Sequence, residues 1–408
     1  SGKYVLDDKE NTKGIEYAKT DGFNFYLYVT DKNNKVISTY PGSKPYFFSW
    51  EEWDIPTYSK RLKPIYYELK DYFKVLNPLP ATDTEKIEST SSFRITDYYN
   101  NKSAALSLVF NDAGFTQISN ALPVVTKYYF RISFGITEKI WNQNTSNYSD
   151  EGSFSIRRFG INEIKDMLGY KHEFSLYFPQ NQNPSDLQAV DRLKKELEQK
   201  TKRKVRSGFW QQITQQIQHP DLLFGVNLNP SNNINKPGSI VFRNLSSYRM
   251  TNEFPKQYQL DSILKQGNGS WMIFSYYNFF KADSKEQKLI NSSAYSNTYS
   301  VTPYIFERQA RLFRNSDYWI APVSLVGKYL VEKENSRIIS SQFGNMIFLT
   351  VQNNLDNSIY QHPLTVEFTS EAGKIKVTGS AYDGIYHNRN GKLYLNVYPN
   401  REVKIEIL

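Results

Sequence analysis

The residues able to carry chemistry are few. The 408-residue chain has no Cys and four His, at 172, 219, 362 and 387. Disulfides, thiolate metal sites and cysteine nucleophiles are therefore excluded together. A histidine-rich metal centre also starts short of ligands. A serine or threonine nucleophile would need His219, His362 or His387 beside it, and each lone His reads more readily as structural. The run VFNDAG (Val109–Gly114) sets Asn111 and the carboxylate of Asp112 just after an apolar stretch. Glu173 and Asp166 are a conceivable carboxylate pair for glycoside cleavage, but no spacing selects them. No GxxxxGK[ST] or GxGxxG run is present, so neither phosphate-cradling loop is supplied.

Composition bounds the remaining classes. Fifty Lys and Arg against 41 Asp and Glu leave a net charge of +9, which permits an anionic partner without naming one. The one basic run, Lys200–Arg206, reads as a solvated helix end, where cations suit the dipole. No nucleic-acid partner is implied. With 31 Tyr, 26 Phe and 6 Trp, the chain is too aromatic for intrinsic disorder. No run of 18 apolar residues exists, so no transmembrane segment is expected. The opening Ser1-Gly2-Lys3-Tyr4 lacks Met, as expected of a mature chain trimmed of a leader.

The elements that would position Asn111 and Asp112 follow from texture. Residues 1–95 read as a β-rich domain. Phe23–Thr30 alternates as a strand, DKNNK turns the chain, and Val36–Tyr40 resumes it. Tyr40–Pro56 reads as loop, and Leu76–Ser92 as linker. Residues 96–336 alternate strand and helix, which favours a parallel sheet or barrel. Ala104–Phe110 fits a strand buried on both faces. A helix over Ala121–Tyr129 and a strand over Phe130–Ile136 follow. Ser155–Leu168 reads as helix and His172–Phe178 as strand. Asp186–Lys204 is a helix with its apolar stripe on Leu187, Val190, Leu193 and Leu197. Asp221–Asn227 and Trp271–Ser275 are strands, and Trp319–Glu334 is strand then helix. Residues 337–408 carry only strand signals, a small antiparallel β-sandwich, with Asn390-Gly391 marking a hairpin.

Several stretches, in order, resemble the polysaccharide deacetylase family, the metal-dependent carbohydrate esterases with a nodulation-protein-B-like domain. Ala104–Ile136 is similar to the family's first strand with its Thr-Phe-Asp-Asp-Gly motif, followed by a helix with Ala-Leu-Pro (here Ala121-Leu122-Pro123) and a second strand (here Ile132-Ser133-Phe134). GYKHEFSLYFPQN (Gly169–Asn181) resembles the family's histidine motif, and Asp186–Lys204 the helix after it. GSWMIFSYYNFF (Gly269–Phe280) resembles the strand with the late catalytic His. Tyr318–Ser336 resembles the last strand and helix. The resemblance implies a distorted (β/α) barrel, flanked here by the β-rich N-terminal domain and the C-terminal sandwich.

The chemistry that the resemblance implies is missing. In the family an Asp and two His hold a divalent metal, a second Asp is the base, and a late His is the acid. Here Asn111 stands for the base and Asp112 for the ligand; in the alternative alignment Asp112 is the base and Ala113 replaces the ligand. The two ligand His positions fall on Tyr177 and Asn181, and the acid on Tyr277. Phenol and carboxamide bind zinc poorly beside imidazole and carboxylate, and an ordinary Tyr is a weak acid at neutral pH. The positions Asn111, Asp112, Tyr177, Asn181 and Tyr277 thus read as a former active site with no functional catalytic residue, no metal and no cofactor. Trp271, Tyr276 and Phe178 are the aromatic candidates for binding a ligand there. Substituting Asp112→Ala is expected to leave stability little changed. The resulting expectation is a catalytically inactive member of the family in a bacterial cell envelope. Such a protein would be extracytoplasmic, either glycan-binding or an assembly component, with a polysaccharide or envelope partner. The alternative is a divergent metal-dependent de-N- or de-O-acetylase with a rebuilt, zinc-holding site.

Overall fold

The computed structural model describes residues 15–17, 23–25, 27–30, 36–40, 46–48, 92–137, 148–151, 154–178, 187–210, 219–230, 235–236, 240, 242–251, 254–280, 300–388 and 391–408. Two compact units divide between Thr82 and Asp83. In the first, Leu27–Thr30 pairs antiparallel with Val36–Tyr40, the hairpin that the DKNNK cluster predicts. Phe23–Phe25 belongs to a different sheet, between Ile15–Tyr17 and Tyr46–Phe48. Phe23–Thr30 is therefore two strands, and the presumed loop Tyr40–Pro56 contains a third.

In the second unit seven parallel strands close into a barrel: Ala104–Phe110, Ser133–Ile136, Glu173–Phe178, Ser207–Trp210, Phe224–Pro230, Leu245–Arg249 and Trp271–Tyr276. Closure is the pairing of the last strand with the first, Trp271 opposite Ala105 through Tyr276 opposite Phe110. An eighth strand, Tyr318–Ile320, lies along the start of the first. This is the distorted (β/α) barrel that the resemblance implies, and one of the two arrangements that the alternation of strand and helix leaves open.

Pleat parity separates two cores. Leu106, Leu108 and Phe110 of the first strand pack outward on the helices, with Val125, Ile164, Leu193, Leu197 and Phe306. Ala105 and Val109 face the barrel interior with Ile273, Tyr177, Phe209 and Val226. All seven residues of that strand are buried, because both faces are covered. The helix Leu187–Thr201 buries Val190, Leu193, Leu197 and Thr201. Leu187, assigned to the same stripe, is instead 45% exposed at the helix start. The region expected to be one helix over Ser155–Leu168 splits. Phe154–Arg157 is a strand paired with Tyr148–Glu151, and the helix Ile161–Leu168 begins only after Gly160. Glu163 accepts the Gly160 backbone N–H at 2.9 Å, a capping contact that fixes this start.

The end of the barrel where the strands begin is plugged by a carboxylate. Glu173 accepts Ser133 Oγ at 2.7 Å and the Ser324 backbone N–H at 3.1 Å, and also the hydroxyl of Ser207. Ser324 lies in the first turn of the helix Val323–Glu334, so the charge also complements the helix dipole. Glu173→Ala is expected to cost about 2 kcal/mol in a denaturant titration, since three donors lose a charged acceptor. A cost below about 0.5 kcal/mol would mean that water replaces it.

The C-terminal region is an antiparallel sandwich of a five-stranded and a three-stranded sheet. Ser92–Ile95, assigned to the N-terminal domain by the boundary at 95, is an edge strand of the smaller sheet, paired with Leu364–Thr369. The hairpin marked by Asn390-Gly391 does not form between its flanking strands. Gly384–His387 pairs with Lys374–Thr378 in one sheet, while Lys392–Val397 pairs with Leu364–Thr369 in the other. Asn390 lies outside the described residues; Gly391 has φ 76°, a left-handed turn where the chain changes sheet. Sandwich residues such as Leu349, Val366 and Ile405 share one buried cluster with the barrel interior, joined through Val326 and Tyr329 of the last helix. The sandwich is thus fused to the barrel by a common core. Among the described residues, no helix is long and apolar enough to cross a membrane.

Candidate functional site

Asn111 leaves the first barrel strand at its C-terminal end. Its backbone N–H donates to Tyr276 O at 2.8 Å, and its Nδ2 to the same oxygen at 3.3 Å. Gln117 then ties the two neighbouring strand ends together. Its Nε2 donates to Asn111 O at 2.5 Å and to Tyr277 O at 2.6 Å. Asp112 and Ala113 both turn left-handed, with φ of 69° and 49°, which Asp tolerates better than most residues.

This turn brings Asp112 to Arg158. Arg158 donates one terminal nitrogen to both carboxylate oxygens at 2.6 Å, and Nε to Oδ1 and to the Asp112 carbonyl at 3.1 Å. Asp112 is 4% exposed and Arg158 3% exposed. The backbone fixes the same approach, since Phe159 N–H donates to Ala113 O at 2.9 Å and Gly114 bridges Arg158. The Asp112 carboxylate is therefore a neutralised half of a buried ion pair. The expectation that Asp112→Ala is nearly neutral for stability is corrected on this ground. It would remove the carboxylate that Arg158 grips at 2.6 Å in a buried site, and breaking a buried ion pair is costly.

Tyr177 and Tyr277 meet edge to face, with ring centroids 6.3 Å apart. Arg249 lies over the Tyr277 ring at 5.9 Å, in cation–π range. Gly135 lies between Asn111 and Tyr177. A Cβ there would stand 3.0 Å from Tyr177 Cβ, 3.1 Å from Phe209 Cδ2 and 3.2 Å from Asn111 Oδ1. Asn111, Tyr177 and Tyr277 thus come together at one end of the barrel, with Asp112 beside Asn111 in sequence. Asn181 lies outside the described residues. Exposure of 0%, 1% and 3% for Asn111, Tyr177 and Tyr277 means that the cluster is covered. Among the described residues, the Asn111 Oδ1 acceptor has no hydrogen-bond partner.

The three aromatic candidates for ligand binding sit elsewhere. Trp271 begins the last barrel strand, at the end opposite Asn111, and donates Nε1 to Ser107 Oγ at 3.1 Å inside the barrel. Tyr276 and Phe178 are at the correct end but point outward into the helix layer. Tyr276 donates its hydroxyl to Gln309 Oε1 at 3.0 Å, and burial pushes its pKa well up. All three are core residues: Tyr276 and Phe178 lie on the strand face that looks away from the barrel interior, and Trp271 faces the interior at the wrong end.

The histidines do not supply a site. His172 Nδ1 accepts the Ile132 backbone N–H at 3.3 Å, and burial, aided by Arg131 and Arg203, holds its pKa down at about 4. His219 pairs with Asp191 at 2.9 Å. His362 packs among Tyr99, Trp319 and Tyr329 below the barrel, and His387 is exposed on a sandwich edge strand. Among the described residues, no three His, Asp or Glu gather to hold a metal ion. The residues present do not fit the zinc centre implied by the resemblance, because their single carboxylate is held by a guanidinium and their other donors are phenols and an amide. Arg158, Arg249, Gln117 and Gly135 escaped sequence reasoning. Only the Gly160 after Arg158-Phe159 hinted at a break there.

No protein-family model matches this chain, and no curated protein does. Solved structures similar to it include a variant of a peptidoglycan deacetylase from Bacillus subtilis, at 9% identity over 57% of this chain and 93% of that one, TM-score 0.31. A CE4-family pseudoenzyme variant described as having restored enzymatic activity is similar at 10% identity over 56% and 68%, TM-score 0.29. A family 4 acetyl xylan esterase from Clostridium thermocellum is similar at 11% identity over 53% and 98%, TM-score 0.28.

Proposed function

We propose that this chain is a non-catalytic, deacetylase-like protein acting as an assembly component of a bacterial cell envelope or surface, outside the cytoplasm. The observation that carries the reading is the buried Asp112–Arg158 pair, next in the chain to Asn111, together with the covered Tyr177 and Tyr277. A deacetylase needs an ionised carboxylate and a water-accessible, ligand-poor cation at one spot. Here the carboxylate is already neutralised and the aromatics offer no open face. That favours an assembly role over glycan stacking inside the barrel, because a sugar could reach Tyr177 or Tyr277 only after the cover opened. Polysaccharide or protein of the envelope is the partner class, contacted by surfaces outside the barrel mouth.

The test is acetate release from N- and O-acetylated glycan polymers, with zinc, manganese or cobalt supplied. No release above the protein-free blank is expected. Turnover that disappears in Asp112→Asn would overturn the reading and establish the divergent deacetylase instead.

A further inference from the structure

The five-stranded sheet of the sandwich ends on Arg337–Phe343, which among the described residues pairs on one side only, with Met346–Gln352. Six of its seven residues are exposed. Ile339 is 47% and Phe343 69% exposed, and Phe343 packs on Phe348 with ring centroids 6.1 Å apart. Folded proteins ordinarily blunt such an edge with Pro, Lys, a bulge or a very short strand. RIISSQF is full length, free of Pro and Lys, and in register with its neighbour without a shift; its one charged residue, Arg337, stands at the strand's start. Exposed apolar side chains along an open strand edge are the pattern of strand addition.

We propose that this edge pairs antiparallel with the same strand of a second copy of the chain, extending the sheet across a two-fold axis near Ser340. The strand is self-complementary in that register. Arg337 falls opposite Phe343 of the second copy, a cation over an aromatic ring, and Ile339 falls opposite Ser341. The two Arg337 side chains then stand about 20 Å apart along the strand, beyond the screening length of about 8–10 Å. A parallel arrangement would instead set Arg337 against its own copy. The outer faces would merge Ile339, Phe343, Phe348 and Met346 of each copy into one apolar strip. This inference rests on the sandwich edge alone and is independent of what the barrel does.

Sedimentation equilibrium of the whole chain tests it. The wild type is expected to be a concentration-dependent dimer. Ile339→Lys with Ser341→Lys places like charges opposite each other twice and should weaken the dimer by roughly tenfold or more. Ile339→Glu with Ser341→Lys places opposite charges there and should restore it. Both residues are exposed, so circular dichroism should match wild type in both variants, and the melting temperature should match at concentrations low enough that the wild type is monomeric. A monomeric wild type would overturn the proposal, and so would growth beyond dimer through the other edge, Gly384–His387. Equal loss in both double variants would overturn the antiparallel register, and no loss in either would place the dimer elsewhere.

Discussion

Arg158→Met is expected to lower the unfolding free energy by about 3–5 kcal/mol, the loss typical of breaking a buried ion pair. Asp112, 4% exposed in the native fold, would lose both of its 2.6 Å contacts to the guanidinium. Asp112→Asn should cost less, because a carboxamide oxygen still accepts from the guanidinium while the charge balance is lost. The double variant should recover much of the Arg158→Met loss, since replacing both members of a buried pair is often near neutral. The resulting coupling, read from denaturant titrations of the four proteins, should exceed about 1.5 kcal/mol. Arg158→Lys should not substitute, because an ammonium cannot span both oxygens and the carbonyl as the planar fork does. Additive single losses below about 1 kcal/mol each would show that the pair is not the lock inferred here.

Glu332→Gln is expected to stabilise the protein above neutral pH by up to about 3 kcal/mol. Glu332 is wholly buried in the helix between barrel and sandwich. One oxygen accepts the His362 backbone N–H at 3.0 Å, while Oε2 has no hydrogen-bond partner among the described residues. Burial, opposed by that hydrogen bond and by Lys328, pushes the carboxyl up to about 7 from 4.5. Between pH 4.5 and 7 the unfolded chain has released this proton while the folded chain keeps it. Stability therefore falls as pH rises through that window, and the loss is complete above 7. The rise from 4.5 to about 7 corresponds to about 3 kcal/mol. Glutamine keeps the shape and the acceptor without the titration. His362 acts with the opposite sign: burial holds it at about 4, so its contribution is lost as pH falls below 6.5. The difference between wild type and Glu332→Gln isolates the carboxyl. It should be small at pH 4.5 and largest at pH 8. A difference independent of pH would contradict the assignment.

Much of the barrel was legible because its strands are continuous apolar runs. Ala104–Phe110 is buried on both faces and reads as such; Trp271–Tyr276 is likewise buried, and Trp271–Ser275 of it reads as a strand. Ser207–Trp210 and Leu245–Arg249 were missed because their serines look like turn residues. In the fold those serines are satisfied internally, Ser207 on Glu173 and Ser247 on Asn227 O at 2.8 Å. The helix Pro303–Asn315 carried a readable start, Thr302 capping Ile305 N–H at 3.3 Å with Pro at the first position, and went unread. At the candidate site, the meeting of Asn111, Tyr177 and Tyr277 follows from strand order. The partner of Asp112 does not. Arg158 lies 46 residues away on a segment whose helical periodicity is misleading, and only the fold sets the two together.

The end of the barrel that carries Asn111 holds a fixed internal ion pair, Asp112 with Arg158, and on the function proposed above it takes no zinc. The most direct measurement is the metal content of the purified chain after equilibration with zinc and removal of unbound ion, alongside Asp112→Asn. The account predicts no stoichiometric zinc in either protein. One zinc per chain in the wild type, absent from Asp112→Asn, would contradict it.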